Sequence, residues 1–252
     1  MPVEFSVEDG VAVIIINRPE ARNAIDRETA LALESAVQRV NAEPDIRCAV
    51  ITGAGGHFCA GMDLKAFLRG EVMRLPGTGF AGVAQAMLDK PFIAAVEGYA
   101  LAGGFEIVLA CDMVVASSSA RFGLTEVKRG LVANAGGLVR LPRQLPIKLA
   151  SELVLTGEIF PAERLAAAGL VNRLVGEGEA LAEAVRLAQT IAANGPLAVA
   201  ISRRVLKEGL EWPEAELFER QFQITAPVFT SEDAREGAAA FAEKRKPVWK
   251  GC

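Results

Sequence analysis

The sequence predicts an α/β fold with mainly parallel strands, closed by a helical C-terminal region. Three observations carry this. Apolar runs such as IRCAVITG (46–53), PFIAAVEG (91–98) and DMVVAS (112–117) read as buried strands. Segments of helical spacing lie between them, the alternation that builds a parallel sheet. After about residue 145 the pattern turns almost wholly helical, punctuated by Gly and Pro. No low-complexity linker intervenes, so the strand-rich part over about the first 145 residues and the helical part after it are expected to pack together; as domains, the chain reads as a core over 1–195 and a helical C-terminal region over 196–252.

Taken in order, Val3–Val7 and Val11–Ile16 flank Asp9-Gly10, a turn dipeptide suited to a hairpin. Asp26 can cap a helix running to about Val40, with Ala30, Leu33, Val37 and Val40 on one face. Residues 68–80, LRGEVMRLPGTGF, are the least structured stretch and read as a loop able to act as a lid. Beyond residue 145, only LVNRLV (170–175) reads as a strand.

Composition excludes several classes. The chain is 51% hydrophobic and 23% charged, with a net charge of −4 and scattered basic residues. That profile fits a packed globule and offers no nucleic-acid or polybasic membrane surface. The four cysteines form no CxxC pair and there is one histidine, which argues against a zinc cluster. Unframed cysteines suit a reducing cytoplasm. The N-terminus enters a strand pattern directly, without the charged and apolar regions of a signal peptide. Glu106 and Asp112 interrupt the longest apolar tract before it could span a bilayer.

Glycine concentrates in GAGGHFCAGMD (53–63), EGYALAGGFE (97–106) and VANAGG (132–137). Tight turns after strands are one reason; close approach of backbone N–H groups to a ligand is another. Two of the clusters each follow a buried strand, where ligands bind in α/β sheets. Gly103-Gly104 would open a helix whose free N–H groups favour developing negative charge. Glu106 lies in its first turn between Phe105 and Ile107, where desolvation should raise a carboxyl toward the range useful for proton transfer. Glu126, in RFGLTEVKRG, matters only if the fold brings it opposite Glu106. His57 and Cys59 raise the question of a thiol dyad.

These stretches resemble the crotonase, or enoyl-CoA hydratase/isomerase, superfamily across nearly the whole chain. The resemblance runs through INRPEARNAI (16–25), ITGAGGHFCAGMDLK (51–65), KPFIAAVEGYALAGGFEIVLACDMVVAS (90–117), ARFGLTEVKRGLVANAGGLVRLPR (120–143) and SEDAREGAAAFAEKRKPVWKG (231–251). It implies a crotonase (ClpP-like) fold of repeated ββα units forming a spiral core. The C-terminal helices would then build a trimer, often paired into a hexamer. It implies that backbone N–H groups of Met62 and Gly103 form an oxyanion hole for an acyl-CoA thioester. Glu106 would orient and activate water, and Glu126 would deliver a proton to Cα of a trans-2-enoyl-CoA. Coenzyme A would be met by Ala21, Arg22 and Ala24, by Ala60, Asp63, Leu64 and Lys65, and by Lys244, as part of the substrate and with no separate cofactor. His57 and Cys59 then belong to the approach to the hole.

The sequence also departs from the family. Asn134 stands where relatives often have Gly or Asp, and Phe105 is bulkier than the usual neighbour of the first glutamate. The ending FAEKRKPVWKG resembles a branch that includes crotonobetainyl-CoA hydratases and hydratases of bulky acyl groups. Other readings compete. GTGFAG (77–82) matches GxGxxG but follows Leu-Pro rather than a strand, which weakens a nucleotide-binding oxidoreductase. No GxSxG or evident triad supports a serine hydrolase or Clp-like protease. Isomerisation, another reaction of the family, or acyl-CoA binding without turnover remains to be separated by experiment.

Overall fold

A computed structural model describes residues 1–252. The chain divides into two compact units, Met1–Ala188 and Gln189–Cys252. The first unit contains β1 (Val3–Glu8), β2 (Val11–Ile16), α1 (Arg27–Ala42), β3 (Cys48–Gly53), α2 (Leu64–Leu68), β4 (Arg74–Leu75) and β5 (Gly79–Phe80). There follow β6 (Phe92–Val96), β7 (Tyr99–Leu101), α3 (Gly103–Ala110), β8 (Met113–Ser117) and β9 (Arg121–Gly123). Then come α4 (Gly137–Gln144), α5 (Ile147–Thr156), β10 (Phe160–Pro161), α6 (Ala162–Ala167) and β11 (Arg173–Val175). Helix α7 (Ala180–Ala192) runs across the division, and α8 (Pro196–Glu208), α9 (Leu217–Thr225) and α10 (Glu232–Glu243) lie in the second unit.

The main sheet has the order β1-β2-β3-β6-β8-β11. β1 and β2 pair antiparallel through the Asp9-Gly10 turn, and every later pair is parallel. Central parallel strands are covered on both faces, so CAVITG and FIAAV run as near-continuous apolar, buried stretches rather than alternating. Helix α1 begins where Asp26 accepts the Thr29 N–H, and it buries Ala30, Leu33, Val37 and Val40 on one face as its spacing requires.

The sequence pattern misses a second sheet of order β10-β9-β7. Its strands are two or three residues long, too short to show a period of two. With it the ββα repeat becomes visible. β6 joins the large sheet, β7 the small one, and α3 follows; β8, β9 and α4 repeat the move. This is the crotonase fold.

Residues 68–80 also differ from expectation. They carry a short antiparallel hairpin with Arg74 opposite Phe80, and Met73, Leu75 and Phe80 are buried. Thr78 Oγ1 donates to Glu34 Oε1 at 2.6 Å, which fastens the hairpin to α1. Its glycines made it read as loop, but its three apolar side chains decide its place in the core.

In the second unit, Ser231 caps α10 by accepting the Ala234 N–H. The buried Asp233 carboxylate accepts the N–H groups of Lys250 and Gly251, at 2.7 and 3.0 Å, and so holds the C-terminal tail. Phe218, Phe222, Phe229 and Phe241 are all at least 70% exposed in the single chain. No single helix is long and apolar enough to cross a membrane.

Candidate active site

The first unit holds a cavity of about 430 Å³ lined by Met62, Gly103, Glu106 and Glu126. Thus the fold brings together four residues spread over 65 positions of sequence. Arg22, Ala60 and Leu64 line the same cavity, whereas Ala21, Ala24, Asp63 and Lys65 do not. Lys244 lies in the second unit, capping α10 in the left-handed conformation with φ +53°.

Two backbone segments meet at the cavity wall. Residues 58–63 form a strip with isolated β-bridges at Cys59 and Met62, bent at Gly61, whose φ is +95°. Cys59 N–H donates to Tyr99 O, and Leu101 N–H donates back to Cys59 O, both at 2.9 Å. On the other side Ile25 N–H donates to Gly61 O and Asp63 N–H to Ile25 O. Asn23 is fully buried and braces the strip from behind, its Nδ2 donating to Ala54 O and His57 O. Asp63 then caps α2 by accepting the N–H groups of Lys65 and Ala66, and it pairs with Arg18 at 3.2 Å. Desolvation opposes its charge, but the Ala66 N–H, the Arg18 guanidinium and the Lys65 N–H outweigh it and hold the Asp63 carboxyl below its usual range. Asp63 thus anchors the start of α2 and ties it to Arg18.

The second segment is the β7–α3 junction. Ala102 has φ +49° and ψ −126°, a region costly for a residue with a side chain, and its N–H is fixed to Gly123 O at 2.7 Å. This kink turns the chain so that Gly103 starts α3 with its N–H outside the helical ladder. A Cβ placed on Gly61 would stand 2.9 Å from Ala102 Cβ and 3.2 Å from Gly103 N. A Cβ on Gly104 would lie 2.3 Å from Cys59 O. So glycine is demanded here first by the closeness of the two segments to each other. Neither the Met62 nor the Gly103 N–H is engaged by another group of the chain.

The carboxylates have different surroundings. Glu106 is 3% exposed, on a helix buried at every position. Its Oε1 accepts the N–H groups of Ala135 and Gly137, each at 2.8 Å, the latter from the first turn of α4. Burial pushes the Glu106 carboxyl up; these two N–H groups and the Arg140 charge oppose that. Arg140 Nη1 also donates to Ala135 O at 3.4 Å, bracing the turn that presents the N–H groups. Glu126 lacks such a cradle. Its Oε2 is buried with no hydrogen-bond partner. Burial, helped by the negative charge of Glu106, pushes Glu126 up to about 7. One carboxylate is thus held in place by backbone donors while the other is poised to exchange a proton near neutrality.

His57 and Cys59 do not form a dyad. Cys59 is fully buried, its Sγ accepts the Gly61 N–H at 3.3 Å, and burial pushes the thiol up to about 12. His57 Nδ1 accepts the Tyr99 N–H at 3.3 Å and its ring stacks on Tyr99 at 5.0 Å. Cys59→Ala is expected to keep turnover within a few-fold of wild type, at a stability cost of about 1 kcal/mol for the small void. Steady-state rates and thermal denaturation of the variant check both parts.

Phe105 packs in the core against Phe122, ring centroids 5.3 Å apart, so its bulk does not reach the cavity. Asn134 does line the cavity. The sequence marked VANAGG (132–137) as a small-residue cluster, but not that its Ala135 and Gly137 N–H groups serve Glu106, nor that Arg140 braces them, because the partner of a backbone N–H or of a lone arginine carries no motif.

The family model described as enoyl-CoA hydratase/isomerase matches residues 6–252. The chain belongs to this family. Among curated relatives, this crotonase is 46% identical to enoyl-CoA hydratase EchA19 of Mycobacterium tuberculosis, covering 93% of this chain and 91% of that protein. It is 43% identical to carnitinyl-CoA dehydratase of Salmonella typhi, covering 94% of each. Among solved structures, enoyl-CoA hydratase EchA1 of Mycobacterium marinum superposes with a TM-score of 0.97 at 50% identity, covering 100% of this chain and 99% of that one. These relationships make the chain a crotonase-family hydratase, a hydro-lyase.

Proposed function

We propose that this crotonase hydrates a trans-2-enoyl-CoA to a 3-hydroxyacyl-CoA. The observation that carries this reading is the pair of carboxylates lining one cavity in unlike surroundings, Glu106 held by two backbone N–H groups and Glu126 Oε2 without a partner, beside two N–H groups free to donate. The thioester oxygen sits between the Met62 and Gly103 N–H groups. Water, oriented by Glu106, adds its oxygen to Cβ while its proton passes to Glu106. The double-bond electrons move onto the thioester oxygen as an enolate, stabilised by the two donors; one such donor is worth ~3 kcal/mol. Protonated Glu126 gives its proton to Cα as the enolate collapses. Return of the proton from Glu106 to Glu126 resets the pair, which therefore titrates as a coupled unit.

Arg22, Ala60 and Leu64 contact coenzyme A at the cavity mouth, with Ala21 and Ala24 supporting Arg22 in its turn. Lys65 and Lys244 meet phosphates as point charges. The exposed Phe218, Phe222 and Phe229 support assembly into a trimer or a pair of trimers. The four free cysteines suit the reducing cytoplasm.

The test is a hydration assay over trans-2-enoyl-CoAs of short, long, branched and ring-bearing chains, read as loss of the conjugated thioester's ultraviolet absorbance. Loss with at least one member is expected. No loss with any, while acyl-CoAs still bind, overturns hydration in favour of isomerisation or binding alone.

A further inference from the structure

A second cavity of about 220 Å³ adjoins the first. The two share Met62, Phe67, Phe80, Asn134 and Ala135 in their walls, so the smaller one extends from the place where the reacting bond would lie. Its volume is that of about seven liquid waters, room for a short acyl extension. The walls change along it. Near the junction they are largely apolar. Beyond it stand Glu71, Arg74 and Gln85, and Arg74 and Gln85 are exposed, so an end group seated there keeps part of its hydration.

The charges there are not balanced alike. Glu71 Oε1 accepts from Arg69 at 2.7 and 3.1 Å, and its Oε2 accepts the Arg27 N–H at 3.3 Å. Arg74 meets no carboxylate; its Nη2 donates only to the neutral Gln85 Oε1, at 3.3 Å. That contact occupies the acceptor of Gln85 and leaves its amide donors free. The hairpin register sets Arg74 opposite Phe80, a residue that lines both cavities. The far end therefore presents donors and one unmatched positive charge, and its acid is already satisfied.

We propose that the second cavity receives the far end of the acyl group and selects one ending in a carboxylate, with Arg74 as the specificity-determining residue. The proposal rests on reading the larger cavity as the enoyl-CoA site. Guanidinium and carboxylate match as a charge-assisted pair, while a methyl end leaves the donors to water and a cationic end meets like charge.

The experiment compares trans-2-enoyl-CoAs of six to ten carbons that end in methyl, carboxylate or trimethylammonium. We expect kcat/KM to favour the carboxylate-ended ester over its methyl counterpart by about tenfold at the best length, as for a partly exposed charge-assisted contact. Arg74→Gln should remove the preference and leave the methyl-ended rate unchanged; Arg74→Glu should turn it toward trimethylammonium. Calorimetric binding of the corresponding saturated acyl-CoAs reads the same preference without turnover. Carboxylate preference in binding with no hydration counts against the hydratase reading alone. Equal treatment of the three ends, a trimethylammonium preference in the wild type, or a preference that survives in both Arg74 variants overturns the proposal.

Discussion

Glu126→Gln is expected to lower turnover at least ~100-fold, as loss of a general acid does, while leaving acyl-CoA binding largely intact. The same substitution should change how stability responds to pH. In the folded chain Glu126 is raised from 4.5 to about 7. Between those values the native state holds a proton that the unfolded state has released, so wild-type stability falls as pH rises through this window and is level above it. A shift of that size corresponds to at most ~3 kcal/mol, and partial solvent access makes about 1–2 kcal/mol the expected loss. The glutamine variant lacks this loss. Its melting temperature should therefore fall less than wild type's from pH 4.5 to pH 8. The rate has a matching signature: hydration and dehydration should both decline above about pH 7, because each direction uses the glutamate pair carrying one proton. Full turnover in a folded Glu126→Gln protein would sink the assignment.

The second large effect is expected at Gly61. Its φ of +95° already disfavours a side chain. The added Cβ of Gly61→Ala would also meet Leu101 O and Ala102 Cβ at 2.9 Å, and neither is the end of a flexible chain. The strips bearing the Met62 and Gly103 N–H groups must then separate. If both donors serve one oxygen, kcat should drop by ~10²–10³, the effect of losing a single such donor. Backbone strain should cost a further ~1–3 kcal/mol of stability. Adding Ala102→Gly removes one of the two obstructions and should restore part of the rate. Wild-type kcat in the Gly61→Ala protein, with its fold confirmed by melting, would show that the spacing of the two strips does not matter.

Much of this could be read along the chain. Asp9-Gly10, the Asp26 cap and the apolar runs of β3, β6 and β8 each announce their element through local chemistry. Glu106 stood out because a carboxylate amid apolar residues must find donors or change its pKa. The small sheet did not announce itself, since three residues cannot show an alternation. The hairpin of residues 74–80 was hidden by its own glycines, whose flexibility masked the anchoring by Met73, Leu75 and Phe80.

From the sequence alone came the family, the α/β class, the helical C-terminal region and the residue types available for chemistry, because these depend on local pattern and ordered motifs. The tertiary structure alone decided that Glu126 faces the cavity of Glu106, that Ala135 and Gly137 cradle one carboxylate and leave the other bare, and that Arg74 stands at the end of a side cavity without an acid to meet it. Such features follow from distances between residues remote in the chain, and burial and charge act through space rather than along the backbone.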